Sequence, residues 1–246
     1  MNNYKMKIEY DGSRYDGWQR IGKDESANTI YCKIEEVLKK MSEQEVEIIC
    51  GARTEKGVHA YAQIANFKIN TTMPVYEIQN YLNRYLPRDI SVLELQEVDY
   101  RFHSQLNAKS KTYVYKIDTK KIANVFERKY MYHSFSKLDM EAMKLGARHF
   151  VGSHDYKTFS TAKKTKSTVR NVENVEIYEI GEKLEIRIKA DDFLHNMARL
   201  MVGILLDVGN GKRKPEEILA VLEGKNDAVL SLPVESYGMF LKSIEY

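Results

Sequence analysis

Tyr4-Lys5-Met6-Lys7-Ile8-Glu9-Tyr10 alternates apolar and charged side chains, the period-two pattern of a strand with one face in a core and one in water. Downstream, Ile30, Ile34, Val37, Leu38 and Met41 recur at helical spacing, with Asn28 or Thr29 placed to cap them. Residues 46–50 and 62–69 read as strands. Val75, Ile78, Leu82 and Leu86 give a second helix stopped by Pro87, and Ile90–Val98 a fourth strand. The order is strand, helix, strand, strand, helix, strand. It then returns. Residues 112–117 read as a strand, 138–150 as a helix, and 172–180 with Lys183–Ala190 as a hairpin turning at Gly181-Glu182. Residues 193–208 read as a strongly amphipathic helix, capped by Asp191 or Asp192 and stopped by Gly209 or Gly211. A short helix over 215–222 precedes a last strand, Met239–Glu245. The expectation is an α+β fold of two tandem βαββαβ ferredoxin-like halves, residues 1–104 and 105–246, with sheets side by side and a cleft between them. The repeat is one of structure; the halves share no visible sequence identity.

The chain has 246 residues, 43% of them apolar and 30% charged, a globular balance. Its longest apolar run, Met201 to Leu206, is far short of the roughly 20 residues a bilayer requires. The start, Met1-Asn2-Asn3-Tyr4-Lys5, has no apolar signal core. Cys32 and Cys50 have neither metal-ligand nor disulfide spacing, so a reducing cytoplasm is expected. A net charge of +3 permits a nucleic-acid partner without demanding one.

Two connections exceed the usual loop length. One runs over 11–28. The other runs over 152–171 and carries Lys163, Lys164, Lys166 and Arg170 among serines and threonines, a composition that suits phosphate contact and equally a solvated surface. A third, shorter loop is Gly51-Ala52-Arg53-Thr54-Glu55-Lys56-Gly57-Val58-His59, with a carboxylate between two cations and two glycines to bend it. Flanking cations favour an ionised carboxylate at neutral pH. On its residues alone the loop serves as a nucleophile or base, or as a surface turn with compensated charges, and the surface turn is the simpler reading.

The full string changes that. Ala52-Arg53-Thr54-Glu55-Lys56-Gly57-Val58-His59-Ala60 resembles the signature Gly-Arg-Thr-Asp-x-Gly-Val-His-Ala of the tRNA pseudouridine synthase A family. Tyr10-Asp11-Gly12-Ser13-Arg14-Tyr15-Asp16-Gly17-Trp18-Gln19-Arg20 is similar to that family's N-terminal motif, and Asn83-Arg84-Tyr85-Leu86-Pro87-Arg88-Asp89-Ile90 to its Asn-x-x-Leu-Pro-x-Asp-Ile. Phe102-His103 followed by Lys111-Thr112-Tyr113-Val114-Tyr115, the run from Phe193 to Gly203, and Tyr237-Gly238-Met239-Phe240-Leu241 match further stretches in the right order.

The resemblance implies the pseudouridine synthase fold and an RNA uridine isomerase without metal or cofactor. Its substrate is structured RNA, tRNA at the anticodon stem-loop first, held by a homodimer. Glu55 takes the position of the catalytic carboxylate, which attacks the anomeric carbon or removes a sugar proton. Tyr113 takes that of the tyrosine stacking on the flipped base, Arg199 that of the arginine pairing with the carboxylate, and Arg53 that of the loop arginine contacting RNA. Arg20, Lys163, Lys164, Lys166 and Arg170 are the further candidates for RNA contact. Trp18 is weighed as a stacking platform against core packing, and packing is favoured.

This sequence departs from the pattern at a few positions. Glu55 replaces aspartate and adds a methylene, about 1–1.5 Å of reach where a 1 Å error costs on the order of 100-fold in rate. Tyr31 stands where glutamine is usual, Gln105 where an arginine usually follows, and Val234-Glu235-Ser236 alters the approach to the C-terminal motif. These changes point to a divergent paralogue. The alternatives to tRNA modification are another structured RNA such as ribosomal RNA, or a catalytically impaired RNA-binding or chaperone protein of the same fold.

Overall fold

The structure, a computed structural model, describes residues 1–19, 26–161, 167–224 and 232–246. Ten strands and five α-helices are described, an α+β chain that divides into two compact units, Met1–Lys109 with Leu241–Tyr246, and Ser110–Phe240. The sequence places the division at 104/105. By compactness it falls at 109/110, and residues 241–246 count with the first unit.

In the first unit β1 (Asn2–Tyr10) lies between two antiparallel neighbours: β3 (His59–Ile69), with Asn2 opposite Ile69, and β4 (Ile90–Val98). The short β2 (Ile48–Cys50) pairs with β3. The alternation in β1 does what it predicts, burying Tyr4, Met6, Ile8 and Tyr10 while Lys7 pairs with Glu94 on the other face at 2.8 Å. Helix α1 (Ile30–Ser42) buries Ile30, Ile34, Val37 and Leu38. Of its two candidate caps Thr29 is used, its hydroxyl accepting from the Cys32 N–H. Helix α2 (Val75–Tyr85) buries Ile78 and Leu82 and packs on β4. It ends because Pro87 drives Leu86 to an extended backbone, ψ 150°. The pairing of β1 with β4 slips by one residue between Lys7 and Ile8, leaving Leu93 as a bulge. Asn83 covers the slip: its side chain accepts from the Val92 N–H at 2.8 Å and donates to the Val92 carbonyl at 2.9 Å.

The connection over 11–28 is no open loop. Where it is described it is packed against the polar loop 51–59. Trp18 donates its backbone N–H to the Thr54 carbonyl (2.9 Å), Gly57 donates to the Tyr15 carbonyl (3.2 Å), and the Gly12 N–H donates to His59 Nδ1 (3.1 Å). A Cβ on Gly12 would stand 2.0 Å from the Val58 carbonyl oxygen. One on Gly17 would stand 2.8 Å from the Thr54 oxygen, and Gly17 also has φ +93°. Asp89 closes the far side, accepting from the Arg14 Nε and, at 2.6 Å, from the Tyr15 hydroxyl. Burial and that carboxylate push the Tyr15 phenol up to about 12, so it stays a donor. Trp18 is wholly buried, tilted against Tyr10, and so belongs to the core.

In the second unit β5 (Ser110–Asp118) pairs antiparallel with β9 (Lys183–Ala190), Lys111 opposite Ala190, and parallel with the two-residue β6 (Tyr132–His133). Strand β8 (Val169–Ile180) forms the expected hairpin with β9 across Gly181 at φ +61°. The connection over 152–171 is shorter than expected: Gly152–Asp155 is β7, paired with β8, and a 3-10 turn over Lys157–Phe159 buries Phe159. Its residues carry no strand period because β7 is a short, polar strand. Helix α3 (Met140–Arg148) packs against α4 (Met197–Gly209), where a Cβ on Gly209 would meet Met143 Sδ at 2.5 Å.

Two expectations for α4 are corrected. It is buried on nearly every side, leaving only Arg199 and Asp207 less than fully buried, so it is a central helix rather than an amphipathic one. Nor do Asp191 or Asp192 cap it. Asp191 accepts from the Asn171 and Asp192 N–H groups, Asp192 pairs with Lys111, and the cap position falls to Asn196 in the left-handed region, φ 64°. Helix α5 (Glu217–Leu222) and β10 (Met239–Glu245) complete the chain.

The Gly12 contact is one of sterics, since its φ is ordinary, whereas at Gly181 only φ is at issue and a Cβ would meet nothing within 4 Å. Gly12→Ala should therefore destabilise by about 3 kcal/mol, in the range of overpacking, and Gly181→Ala by about 1 kcal/mol, the cost of a left-handed alanine. Denaturant melts of the two variants check the ranking, and equal losses would refute the steric account.

Candidate active site

The loop that carries Glu55 is fixed from within as well as from the 11–18 segment. Gln63 on β3 donates its side-chain N–H to the Ala52 carbonyl at 2.6 Å and accepts from the Ala52 N–H at 3.2 Å. The Thr54 hydroxyl is hydrogen bonded to the buried Tyr10 hydroxyl at 2.7 Å. Val58 donates back to the Glu55 carbonyl at 3.1 Å, and Gly57 at φ +77° completes the turn. With Ala52 and Thr54 held inward, Arg53 is exposed and Glu55 half-buried. The carboxylate thus sits on a rigid backbone with its side chain at the surface of the unit. Lys56, expected as a flanking cation for Glu55, is spent elsewhere: its ammonium pairs with Asp16 at 2.7 Å and holds that carboxyl below its usual range.

Behind the loop, Gly51 lies against the C-terminal strand. A Cβ there would meet Ile244 Cδ1 at 2.7 Å and the Tyr246 hydroxyl at 2.8 Å, and that hydroxyl donates to the Ser104 carbonyl. Asn66 on β3 accepts from the Ser104 N–H and hydroxyl, each at 2.8 Å, and donates to the Asn3 side chain at 3.0 Å. Asn3 in turn donates to the carbonyls of Asp99 and Phe102. A buried amide chain thereby ties the segment after β4 to the sheet that bears the loop.

The second unit holds the other two candidates. Tyr113, on β5, is 8% exposed and meets Phe193 edge-to-face with ring centres 4.9 Å apart. The pair of the almost buried Lys111 with Asp192, one residue before Phe193, ties the start of β5 to that segment. Tyr115, two residues on, is wholly buried, and Gly238 makes room for its ring, since a Cβ there would approach it to 2.9 Å. Arg199 donates its Nε–H to the Val234 carbonyl at 2.7 Å and an Nη1–H to Asn196 Oδ1 at 3.0 Å. Asn196 also donates to the Thr161 hydroxyl at 2.8 Å, and that hydroxyl is hydrogen bonded to His195 Nδ1 at 2.5 Å. Its side chain has left the capping role to hold the arginine, and its backbone carries the strain.

Arg170 turns its guanidinium back on its own strand, donating from Nη1 to the carbonyls of Ser167 and Val169. Arg20, Lys163, Lys164 and Lys166 lie outside the described residues. Gln63, which holds the loop, and the structural amides and carboxylate Asn66, Asn83 and Asp89 are not named as functional by sequence reasoning. Asn83 and Asp89 stand inside the Asn83–Ile90 motif, the only signal they give. Among the described residues no cluster of three or more His, Cys, Asp or Glu side chains is placed to hold a metal ion, and no helix is long and apolar enough to cross a membrane.

Three segments far apart in sequence, 10–18, 51–60 and 83–90, thus share one structural task, and the stretches around Tyr113, Arg199 and Gly238 share another. Comparison with known proteins gives that grouping a name. A family model described as tRNA pseudouridine synthase matches residues 6–107 and 147–246. A protein of Bacillus anthracis named tRNA pseudouridine synthase A 2 is 45% identical over 247 residues, covering 100% of both chains. One of the same name from Clostridium perfringens (strain 13 / Type A) is 41% identical over 247 residues, again covering 100% of both. With the match running over the length of the chain and through every segment that supports the Glu55 loop, this protein belongs to the tRNA pseudouridine synthase family.

Proposed function

We propose that this chain converts uridine to pseudouridine in tRNA, at the anticodon stem-loop, with Glu55 as the catalytic carboxylate. Family membership over the full chain supports the reaction class. The observation that carries the assignment to Glu55 is the clasp on its loop: the 10–18 segment and Gln63 on β3 fix the backbone on either side of a half-buried carboxylate. Such rigidity serves a group that must be placed to within an ångström and has no purpose in a surface turn.

In the reaction the N1–C1′ bond of the uridine breaks, the base rotates, and a C5–C1′ bond forms. The proton on C5 leaves and N1 gains one, so the product is an isomer and no oxidant or reductant enters. Glu55 acts at the ribose, either on the anomeric carbon or on a sugar proton. The base leaves its stack to be reached, and Tyr113 offers its ring as the surface that receives it. Arg199, held by Val234 and Asn196, is the cation that the family resemblance assigns to the carboxylate, and the exposed Arg53 addresses the RNA backbone. Glu55→Gln should lower the single-turnover rate on tRNA by at least about 1,000-fold. Glu55→Asp, which draws the carboxylate back by about 1–1.5 Å, should lower it by about 100-fold. Mapping of pseudouridine in tRNA from cells with and without the gene checks the reading, and an unchanged map would refute it.

Asn196 separates the role of Arg199 from stability. Asn196→Gly keeps the left-handed backbone at little cost and loses the bond to the guanidinium; Asn196→Ala loses both. The rate should fall about tenfold in each, while only the alanine variant should also lose about 1 kcal/mol of stability. Thermal melts beside single-turnover kinetics resolve the two effects, and a glycine variant at full rate would remove Arg199 from the mechanism.

Two copies of the chain hold the RNA. A net charge of +3 gives one copy a modest field, and the segment between β5 and α3 exposes Ile122 (81%), Phe126 (86%) and Phe135 (93%), an apolar surface with the character of an interface. Light scattering at micromolar concentration should report a dimer, and Phe126→Glu with Phe135→Glu should yield a monomer. A monomeric wild-type protein would refute the assignment.

A further inference from the structure

Two of the positions at which this chain departs from its family's pattern, Tyr31 and Gln105, lie 74 residues apart in sequence and line the same cavity. It lies wholly within the first unit, has a volume of about 470 Å³, and reaches Arg53 at one side. From this cavity we infer a second base-binding subsite, resting on the RNA-modifying reading above: it takes the nucleobase next to the target uridine and favours one that carries an exocyclic amino group.

The walls give the chemistry. Tyr31 and Glu35 stand one helical turn apart on α1, so they share a face. The backbone of β2, with Ile48 and Ile49, gives an apolar strip, and Glu47 adds a second carboxylate. Opposite stand His103 and Gln105. His103 Nδ1 accepts from the backbone N–H groups of Gln105 (3.3 Å) and Leu106 (3.2 Å), so the proton of a neutral ring is on Nε2 and is available to donate. Burial and the Glu35 carboxylate raise the Tyr31 phenol, which keeps it protonated as well. Glu35 has a loose partner: Lys39 stands 3.6 Å away but makes its short contact, 2.6 Å, with Glu45.

A phosphate is a poor occupant of this space, because two carboxylates face it and Arg53 is the one cation among the described residues of its lining. The replacement of an arginine by Gln105 moves the cavity further in the same direction. A flat uncharged ring suits it: the guanidinium of Arg53 and the ring of Tyr31 offer stacking faces, and Gln105 and His103 offer edge contacts. The carboxylate of Glu35 accepts from an amino group, as carboxylates do from the amino group of cytosine, whereas uracil would set carbonyl oxygens toward it. Arg53 and Glu55 are two residues apart, at most about 7 Å along the chain, which is the separation of neighbouring nucleotides in an unstacked strand. The cavity therefore addresses a neighbour of the nucleotide on which Glu55 acts.

The test uses RNA hairpins with one target uridine and each of the four bases, or an abasic site, at either flanking position. At one flank, adenine, cytosine or guanine should bind about tenfold tighter than uracil or the abasic site, and Glu35→Gln should flatten that preference. Cys32 lines the cavity and is half-buried, so it reports occupancy in the unaltered protein. Its alkylation by iodoacetamide should slow several-fold with the amino-bearing RNA and not with the abasic one. Equal affinities for all bases, a preference that survives Glu35→Gln, or equal protection of Cys32 by the abasic RNA would each overturn the subsite. Pseudouridine formed without flank preference would overturn the subsite alone. A Glu35-dependent preference without any pseudouridine would leave the subsite standing and overturn the catalytic reading.

Discussion

The first unit depends on one close approach of backbone to backbone. The carbonyl of Val58 occupies the space where a side chain at residue 12 would begin, and the amides of Gly12, Trp18 and Gly57 are satisfied across the same seam. Two connections that would each be floppy alone become one slab. The conformational entropy of a dozen loop residues is lost at folding rather than at substrate binding. Preorganisation of this kind is the ordinary means by which a lone carboxylate is given a direction. The glycines are therefore spacers in a mould whose casting is the Glu55 loop.

The second unit solves a similar problem with strain. A helix buried on almost all sides has no exposed face from which to present a cation, so Arg199 emerges at its first turn, anchored by Val234 and by a residue in an unfavourable backbone region. Outliers of this sort persist only where surrounding contacts over-determine them. Here Thr161, His195 and Arg199 supply those contacts to Asn196. The altered Val234-Glu235-Ser236 stretch touches the same arginine through a backbone carbonyl, a contact that a change of side chain leaves intact.

Much of the fold was legible because its elements are amphipathic on a fixed period. Strand β1, helix α1, helix α2 and the 183–190 strand were read almost to the residue, since each buries one face and the period shows in which residues are apolar. Where the period is absent the sequence misled. Strand β7 is polar, α4 is apolar all round, and the packing of 11–18 rests on main-chain donors that leave no mark in side-chain identity. The candidate site was legible in a different sense. Glu55, Arg53, Tyr113 and Arg199 were picked out by resemblance of strings, while their supports, Gln63 above all, look in sequence like any polar strand residue. The cavity beside Arg53 has no linear signature, being assembled from α1, β2 and residues 103–105.

The return of residues 241–246 to the first unit has a consequence for the order in which the molecule is made. Lys109 donates to the Glu245 carbonyl, Tyr246 to that of Ser104, and Gly51 is shaped to receive both Ile244 and the Tyr246 phenol. On the ribosome the amino-terminal unit therefore emerges without its last brace and waits for the entire second unit to be translated. Its sheet can form early, but the floor beneath the Glu55 turn is laid only after the second unit has been made, so a nascent chain holds no braced Glu55 turn before then.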